Sequence, residues 1–160
     1  MFHSPRGELT ATFSKKTDPV TRKPELMVDI QEAVTRLLYP SRVCAVGLRN
    51  EWPEVCFERP DDQYEACLWI DSDWWLEPSL KLPAELSQRQ IRMIWLGELA
   101  GQEVRAATYT PDGGLKIGFV SGLQMIISGK PSDPAIIEPW ILSEPGHSDG
   151  LKVIGTASAR

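Results

Sequence analysis

Between Pro24 and Leu38, apolar side chains fall at Leu26, Met27, Ile30, Val34, Leu37 and Leu38, the three- and four-residue spacing that draws one stripe along a helix. Pro24 suits a first helical turn and Tyr39-Pro40 ends one, so the pattern predicts a helix over residues 24–38. After Pro40 the period shortens. Arg42 to Leu48, Glu54 to Phe57 and Ala66 to Ile70 are rich in Val and small apolar residues or alternate, with an acidic turn at Pro60-Asp61-Asp62, and they predict three strands. Pro83 to Trp95 predicts a second short helix with Leu86, Gln90 and Ile94 on one face. Beyond Gly101, Val104 to Tyr109, Leu115 to Phe119 and Leu123 to Ile127 are separated by Pro111-Asp112-Gly113-Gly114 and by Ser121-Gly122, which predicts two consecutive hairpins. Ile136 to Leu142 contains Pro139 and is expected at a sheet edge or bend, and Leu151 to Ile154 is the last strand candidate. Residues 1–23 are polar and without period, an irregular arm.

Together these elements predict an α+β fold that is mainly antiparallel β-sheet, built of meander hairpins with an N-terminal helix and a second short one. One domain is expected over residues 1–160: the arm at 1–23, a helix with acidic strands at 24–95, and a C-terminal meander at 96–160. The pattern also raises the expectation of a two-fold internal repeat. A shift of about 61 residues lays Leu38 on Leu99, Val43 on Val104, Ala45 on Ala106 and Asp73 on Pro134, and brings Trp75 close to Trp140.

Charge narrows the function. Lys and Arg number 17 against 22 Asp and Glu, a net charge of −5, which disfavours holding nucleic acid by its phosphates and favours a basic protein partner. No stretch approaches the roughly 18 apolar residues needed to cross a bilayer, and no apolar leader follows Met1, so no membrane partner and a cytoplasmic location are expected. Cys44, Cys56 and Cys67 lie in apolar or alternating segments and are expected as buried free thiols; the CxxC pairs of a zinc site are absent.

No catalytic, cofactor-binding or metal-binding residue is expected. His147, Ser148 and Asp149 are adjacent, whereas a catalytic triad needs its members to converge from separate places, and His3 sits in the arm. Gly129-Lys130 fails as a phosphate-binding loop because Gln124 stands where that loop needs glycine and Pro131 where it needs a hydroxyl. Lys15-Lys16 and Arg22-Lys23 are read as solvated charge.

The outstanding feature is an acidic, aromatic segment. From Glu51 to Glu77 there are nine acidic residues against the single base Arg59, interleaved with Trp52, Phe57, Tyr64, Trp69, Trp74 and Trp75. Phe57 and Trp69 are assigned to the core. Adjacent Trp74 and Trp75 on a strand point to opposite faces, which leaves one of them outside. The expected partner-binding residues are Glu51, Asp61, Asp62, Asp71, Asp73, Trp74 and Glu77: the tryptophan supplies buried area and the carboxylates steer a basic partner.

The segment Leu99 to Val104, then Pro111 to Phe119, Ser121-Gly122-Leu123 and Trp140-Ile141-Leu142, resembles the small, mainly β immunity-like proteins found beside bacterial polymorphic toxins. The resemblance covers residues 99–154 and rests on hairpin grammar followed by a late tryptophan. It implies a cytoplasmic inhibitor of a cognate toxin protein, with no catalytic residues to carry over. The alternative expectations are a small-molecule or carbohydrate binding module with tryptophans in a pocket, and a metal-assisted enzyme using Asp71 and Asp73.

Overall fold

The computed structural model describes residues 30–61, 64–130, 133–144 and 152–155. The arm at 1–23, the start of the first helix, Asp62, and the His147-Ser148-Asp149 turn lie outside the described residues. Helix α1 is described over 30–38, where Val34, Leu37 and Leu38 form the buried stripe the spacing predicts. The elements that follow are β1 (Arg42–Arg49), β2 (Trp52–Glu58), β3 (Glu65–Ile70), β4 (Trp74–Glu77), α2 (Gln88–Leu99), β5 (Val104–Tyr109), β6 (Leu115–Phe119), β7 (Gln124–Ile127), β8 (Trp140–Ser143) and β9 (Lys152–Ile154). The fold is α+β, with every strand pair antiparallel.

The strands form two sheets in the orders β1-β2-β3-β8-β9 and β4-β7-β6-β5. These orders give the sequence repeat a geometric form. One half runs α1-β1-β2-β3-β4 and the other α2-β5-β6-β7-β8; each half's first three strands form a meander, and each half's fourth strand joins the other half's sheet. The register shifts fall at matching places, between Val43 and Ala45 in β1 and between Val104 and Ala106 in β5. At the junction Val43 N donates to Gln102 O at 2.9 Å and Val104 N to Ser41 O at 2.9 Å, a reciprocal pair flanking the bridge between Arg42 and Glu103. The tryptophan alignment needs a correction: the counterpart of Trp140, first residue of β8, is Trp74, first residue of β4. Both rings face inward, at 0 % and 5 % exposure, whereas Trp75 faces out.

One core holds both halves. Leu38, Phe57, Leu68, Leu99, Leu115, Ile117, Phe119 and Leu142, from α1, α2 and both sheets, belong to a single buried cluster. Trp140 joins the sheets: it pairs with Ile70 of β3, and its indole nitrogen donates to Gly113 O at 3.0 Å in the β5–β6 turn. Tyr109 meets the ring edge-on at 6.2 Å, and a Cβ at Gly155 would lie 2.3 Å from the indole nitrogen, so only glycine fits there.

Four expectations change. The second helix begins at Gln88, not Pro83, because the Ser87 side chain and Gln90 cap each other's backbone; its buried residues are Leu96 and Leu99, and Gln90 and Ile94 are exposed. Strand β8 lies inside its sheet, because Pro139 stops just short of it and lends only its carbonyl, to Asp71 N at 2.9 Å. Trp74 to Glu77 forms a strand too short to announce itself. Cys56 and Cys67 are not free thiols: they stand opposite each other on β2 and β3 and are disulfide-bonded, while Cys44 is free and exposed.

The edge of β5 is closed by a side chain. Gln31 of α1 donates from Nε2 to Ala107 O at 2.9 Å and accepts from Tyr109 N at 2.8 Å, so one amide imitates the backbone of a neighbouring strand. Gln31→Ala removes both bonds and should cost about 1–2 kcal/mol in urea unfolding, with Gln31→Glu costing more because a carboxylate cannot donate to Ala107. Phe119→Ala, at a fully buried position of β6, should cost about 3–5 kcal/mol in the same experiment.

Candidate functional site

Three loops meet at one end of the five-stranded sheet. Antiparallel pairing puts the β1–β2 turn, the β3–β4 link and the segment before β8 side by side: Glu54 pairs with Trp69, Ile70 with Trp140, and Asp71 N reaches Pro139 O. The two links are themselves tied, Ser72 Oγ donating to Ser128 O at 2.7 Å and Ser128 N to Asp73 O at 2.8 Å. The β1–β2 turn is a tight one. Asn50 and Glu51 both have positive φ, 52° and 70°, the paired left-handed conformation that matches the twist of a two-residue hairpin. Asparagine tolerates this region, whereas glutamate is strained in it.

The turn presents Trp52, which is 45 % exposed and common to the openings on this end of the molecule. On one side it lines a cavity of about 420 Å³ with Arg49, Asn50, Trp69 and Ile141. On another it lines a broader one of about 450 Å³ with Asp71, Asp133, Ile136, Ile137 and Glu138. Ile137 is 80 % exposed, the most open large apolar side chain among the described residues. Glu51, Asp71 and Asp73 border a third opening beside Trp52, with Arg92 of α2 across from them. An apolar floor thus lies within a ring of carboxylates.

The ring is short of cations. Burial, and then the nearby Asp133, push the Asp71 carboxyl above its ordinary range. Among the described residues, Asp71, Asp73 and Asp133 take part in no ion pair. Glu51 pairs with Arg89 at 3.2 Å, but both side chains are largely exposed and such a pair contributes little. The Arg49 guanidinium is committed elsewhere, 6.0 Å above the Trp69 ring.

Of the residues singled out from the sequence, Glu51, Asp71 and Asp73 are brought together around Trp52. Asp61 lies past the far end of β2, roughly 20 Å away along seven residues of strand. Glu77 belongs to the other sheet, where its carboxylate accepts from Trp75 Nε1 at 3.2 Å. Trp74 is a correction: it is 5 % exposed, packed edge-on against Trp95 of α2 at 5.2 Å, and so is core. Trp69, assigned to the core, is only partly buried and faces the first cavity, because β3 sends Leu68 and Ile70 inward and Trp69 to the other side. Trp52 as anchor, and Asp133, Ile136, Ile137 and Glu138, are not among the expected partner-binding residues, yet they line the same openings. Adjacency of Trp52 to a turn was the available signal; the later residues had none, since they join the site only through strand pairing.

Among the described residues the one group of three metal-type donor atoms within 4.8 Å of one another is Glu54, Cys56 and Cys67, whose two sulfurs are bonded to each other, and Asp71 and Asp73 are not part of it. No described helix is long and apolar enough to cross a membrane. No family model, curated protein or solved structure matches the chain.

Two stability measurements check this geometry. A carboxyl raised by burial and a like charge favours the protonated form, so its contribution to stability is present below the ordinary carboxylate range and lost as pH rises through the raised value. At neutral pH the charged Asp71 is a cost, and Asp71→Asn should raise the melting temperature, with the gain fading at acid pH. Trp74→Ala should cost about 3–5 kcal/mol. Trp74→Phe should cost far less, because the indole N–H has no acceptor among the described residues and packing holds the ring.

Proposed function

We propose that this protein is a cytoplasmic inhibitor of the immunity type, which binds a cognate toxin domain through the acidic, aromatic end of its five-stranded sheet. The observation that carries the reading is the exposed pair Trp52 and Ile137 set among Glu51, Asp71, Asp73, Asp133 and Glu138. Exposed aromatic and aliphatic anchors inside a charged rim are the composition of a protein-binding hot spot. A nucleic-acid-degrading toxin with a basic cleft is complemented by Asp71, Asp73 and Asp133, which take part in no ion pair among the described residues. In this arrangement the carboxylates govern the rate of encounter and Trp52 governs how long the complex lasts. The inhibitor needs no catalytic group of its own, because it acts by occupying the cleft.

The test uses the product of the adjacent upstream gene, co-expressed and captured by pull-down, with association then measured by surface plasmon resonance and any toxic activity of that product measured in parallel. Trp52→Ala should speed dissociation and weaken binding by about 2 kcal/mol or more while leaving folding intact. The pair Asp71→Asn with Asp73→Asn should slow association and flatten its salt dependence. If both variants bind and protect like the wild type, the surface is not the interface and the reading fails.

A second reading, a small-molecule or carbohydrate binding module, is favoured by the cavity of about 420 Å³ lined by Trp52 and Trp69 together with Arg49 and Asn50. Saturation transfer on a panel of mono- and disaccharides, with Trp69→Ala as control, distinguishes it from a protein interface.

A further inference from the structure

Cys44, Cys56 and Cys67 are far apart in sequence and adjacent on the sheet. The β2–β3 register sets Cys56 directly opposite Cys67, a separation of 11 residues closed by strand pairing alone. The side chains that alternate with them on these strands, Val55, Phe57, Ala66 and Leu68, are fully buried in the core, so both sulfurs lie on the outer face. The bulge in β1 adds the third sulfur. Val43 pairs with Phe57 and Val46 with Val55, both inward, so Cys44 and Ala45 together oppose Cys56 and both stay outside the core. The Cys44 thiol lies 3.4 Å from Cys56 O.

Oxygen donors surround the pair. Glu54 Oε1 is 3.5 Å from Cys56 Sγ, and Glu65 Oε1 is 3.5 Å from Cys67 Sγ. The donor atoms of Glu54, Cys56 and Cys67 all lie within 4.8 Å of one another. A tetrahedral zinc ion with bonds of about 2.3 Å to sulfur holds its donors roughly 3.8 Å apart, within the 4.8 Å that encloses this group.

We propose that reduction of the Cys56–Cys67 disulfide opens a site for one thiophilic divalent cation, Zn²⁺ above all, held by Cys56, Cys67, Cys44 and Glu54. The reductant is a dithiol: it delivers two electrons and two protons to the disulfide, leaving two thiols here and a disulfide in itself. Each of the three thiols then loses a proton to solvent as its sulfur bonds the metal, and Glu54 supplies a carboxylate oxygen. The neighbouring charge suits a cation. Glu54 and Glu65, each with a carboxylate oxygen 3.5 Å from one of the paired sulfurs, add negative charge beside the site. Oxidised, the protein has a covalent cross-link between β2 and β3; reduced, it has a coordinate one in the same place.

The full-length protein is reduced with a phosphine, freed of reductant under argon and titrated with Co²⁺, which reports thiolate ligation through a charge-transfer band in the near ultraviolet. Reduced wild type should develop this band at one Co²⁺ per chain and lose it on addition of Zn²⁺, while oxidised protein should show none. Cys56→Ser with Cys67→Ser should abolish the band. Cys44→Ser should lower its amplitude by about a third, one thiolate of three. Should the double variant fail to fold, Cys44→Ser and Glu54→Gln, which both retain the disulfide pair, carry the test, with Glu54→Gln expected to weaken cobalt binding. No band in reduced wild type, an equal band in oxidised protein, or a band indifferent to Cys44→Ser overturns the four-donor site.

Discussion

Neither half of this chain can complete a sheet by itself, because each gives its fourth strand to the other. β4 leaves the first meander to pair with β7, and β8 leaves the second to pair with β3. Both travelling strands lead with an inward tryptophan and follow two residues later with a buried leucine, Trp74 and Leu76 in one, Trp140 and Leu142 in the other. The exchange is why one core spans both sheets, and loss of either strand would expose apolar surface in both halves at once. The junction at Val43 and Val104, where the halves trade backbone hydrogen bonds reciprocally, fixes the two meanders to each other.

The second half reinforces the exchange with polar clamps. The Asp112 carboxylate accepts from the Thr110 hydroxyl and from Gly114 N and Gly129 N, at 3.2 and 3.3 Å for the amides. These bonds hold its carboxyl below the usual range against the opposing effect of burial. A Cβ at Gly129 would stand 2.1 Å from Asp112 O, so the chain leaving β7 passes where only glycine fits. From there the second link departs toward Trp140.

The candidate interface is a consequence of the same exchange. The links that carry β4 and β8 across cross beside the β1–β2 turn and are tied by hydrogen bonds through Ser72, Asp73 and Ser128, with Asp71 beside Asp133 and Glu138. A candidate surface on crossover links costs the core little: Asp71, Asp73, Asp133, Ile137 and Glu138 lie on connecting chain, while Trp74 and Trp140 at the start of the strands hold the links in position. Glu51 and Trp52 come instead from the hairpin between β1 and β2, whose turn holds that glutamate in a left-handed conformation.

The sequence by itself determined the local elements and their class. The stripe through Val34, Leu37 and Leu38, the alternation of Leu115, Ile117 and Phe119, and the Asp112-Gly113-Gly114 turn are local patterns, and each forms the structure its period dictates. The repeat was legible from Leu38, Val43 and Ala45 against Leu99, Val104 and Ala106 because both halves place the same bulge after the same helix. The acidic, aromatic segment was legible as composition, and Glu51, Asp71 and Asp73 do gather. What the tertiary structure decided was pairing and facing. Alternation states that Trp74 and Trp75 point apart, but which one is buried depends on the side from which α2 packs. Cys56 and Cys67 meet, and Asp133 and Ile137 reach Trp52, only through the registers of β2 with β3 and of β3 with β8. Registers of that kind join residues separated by long stretches of chain, and no short-range period encodes them.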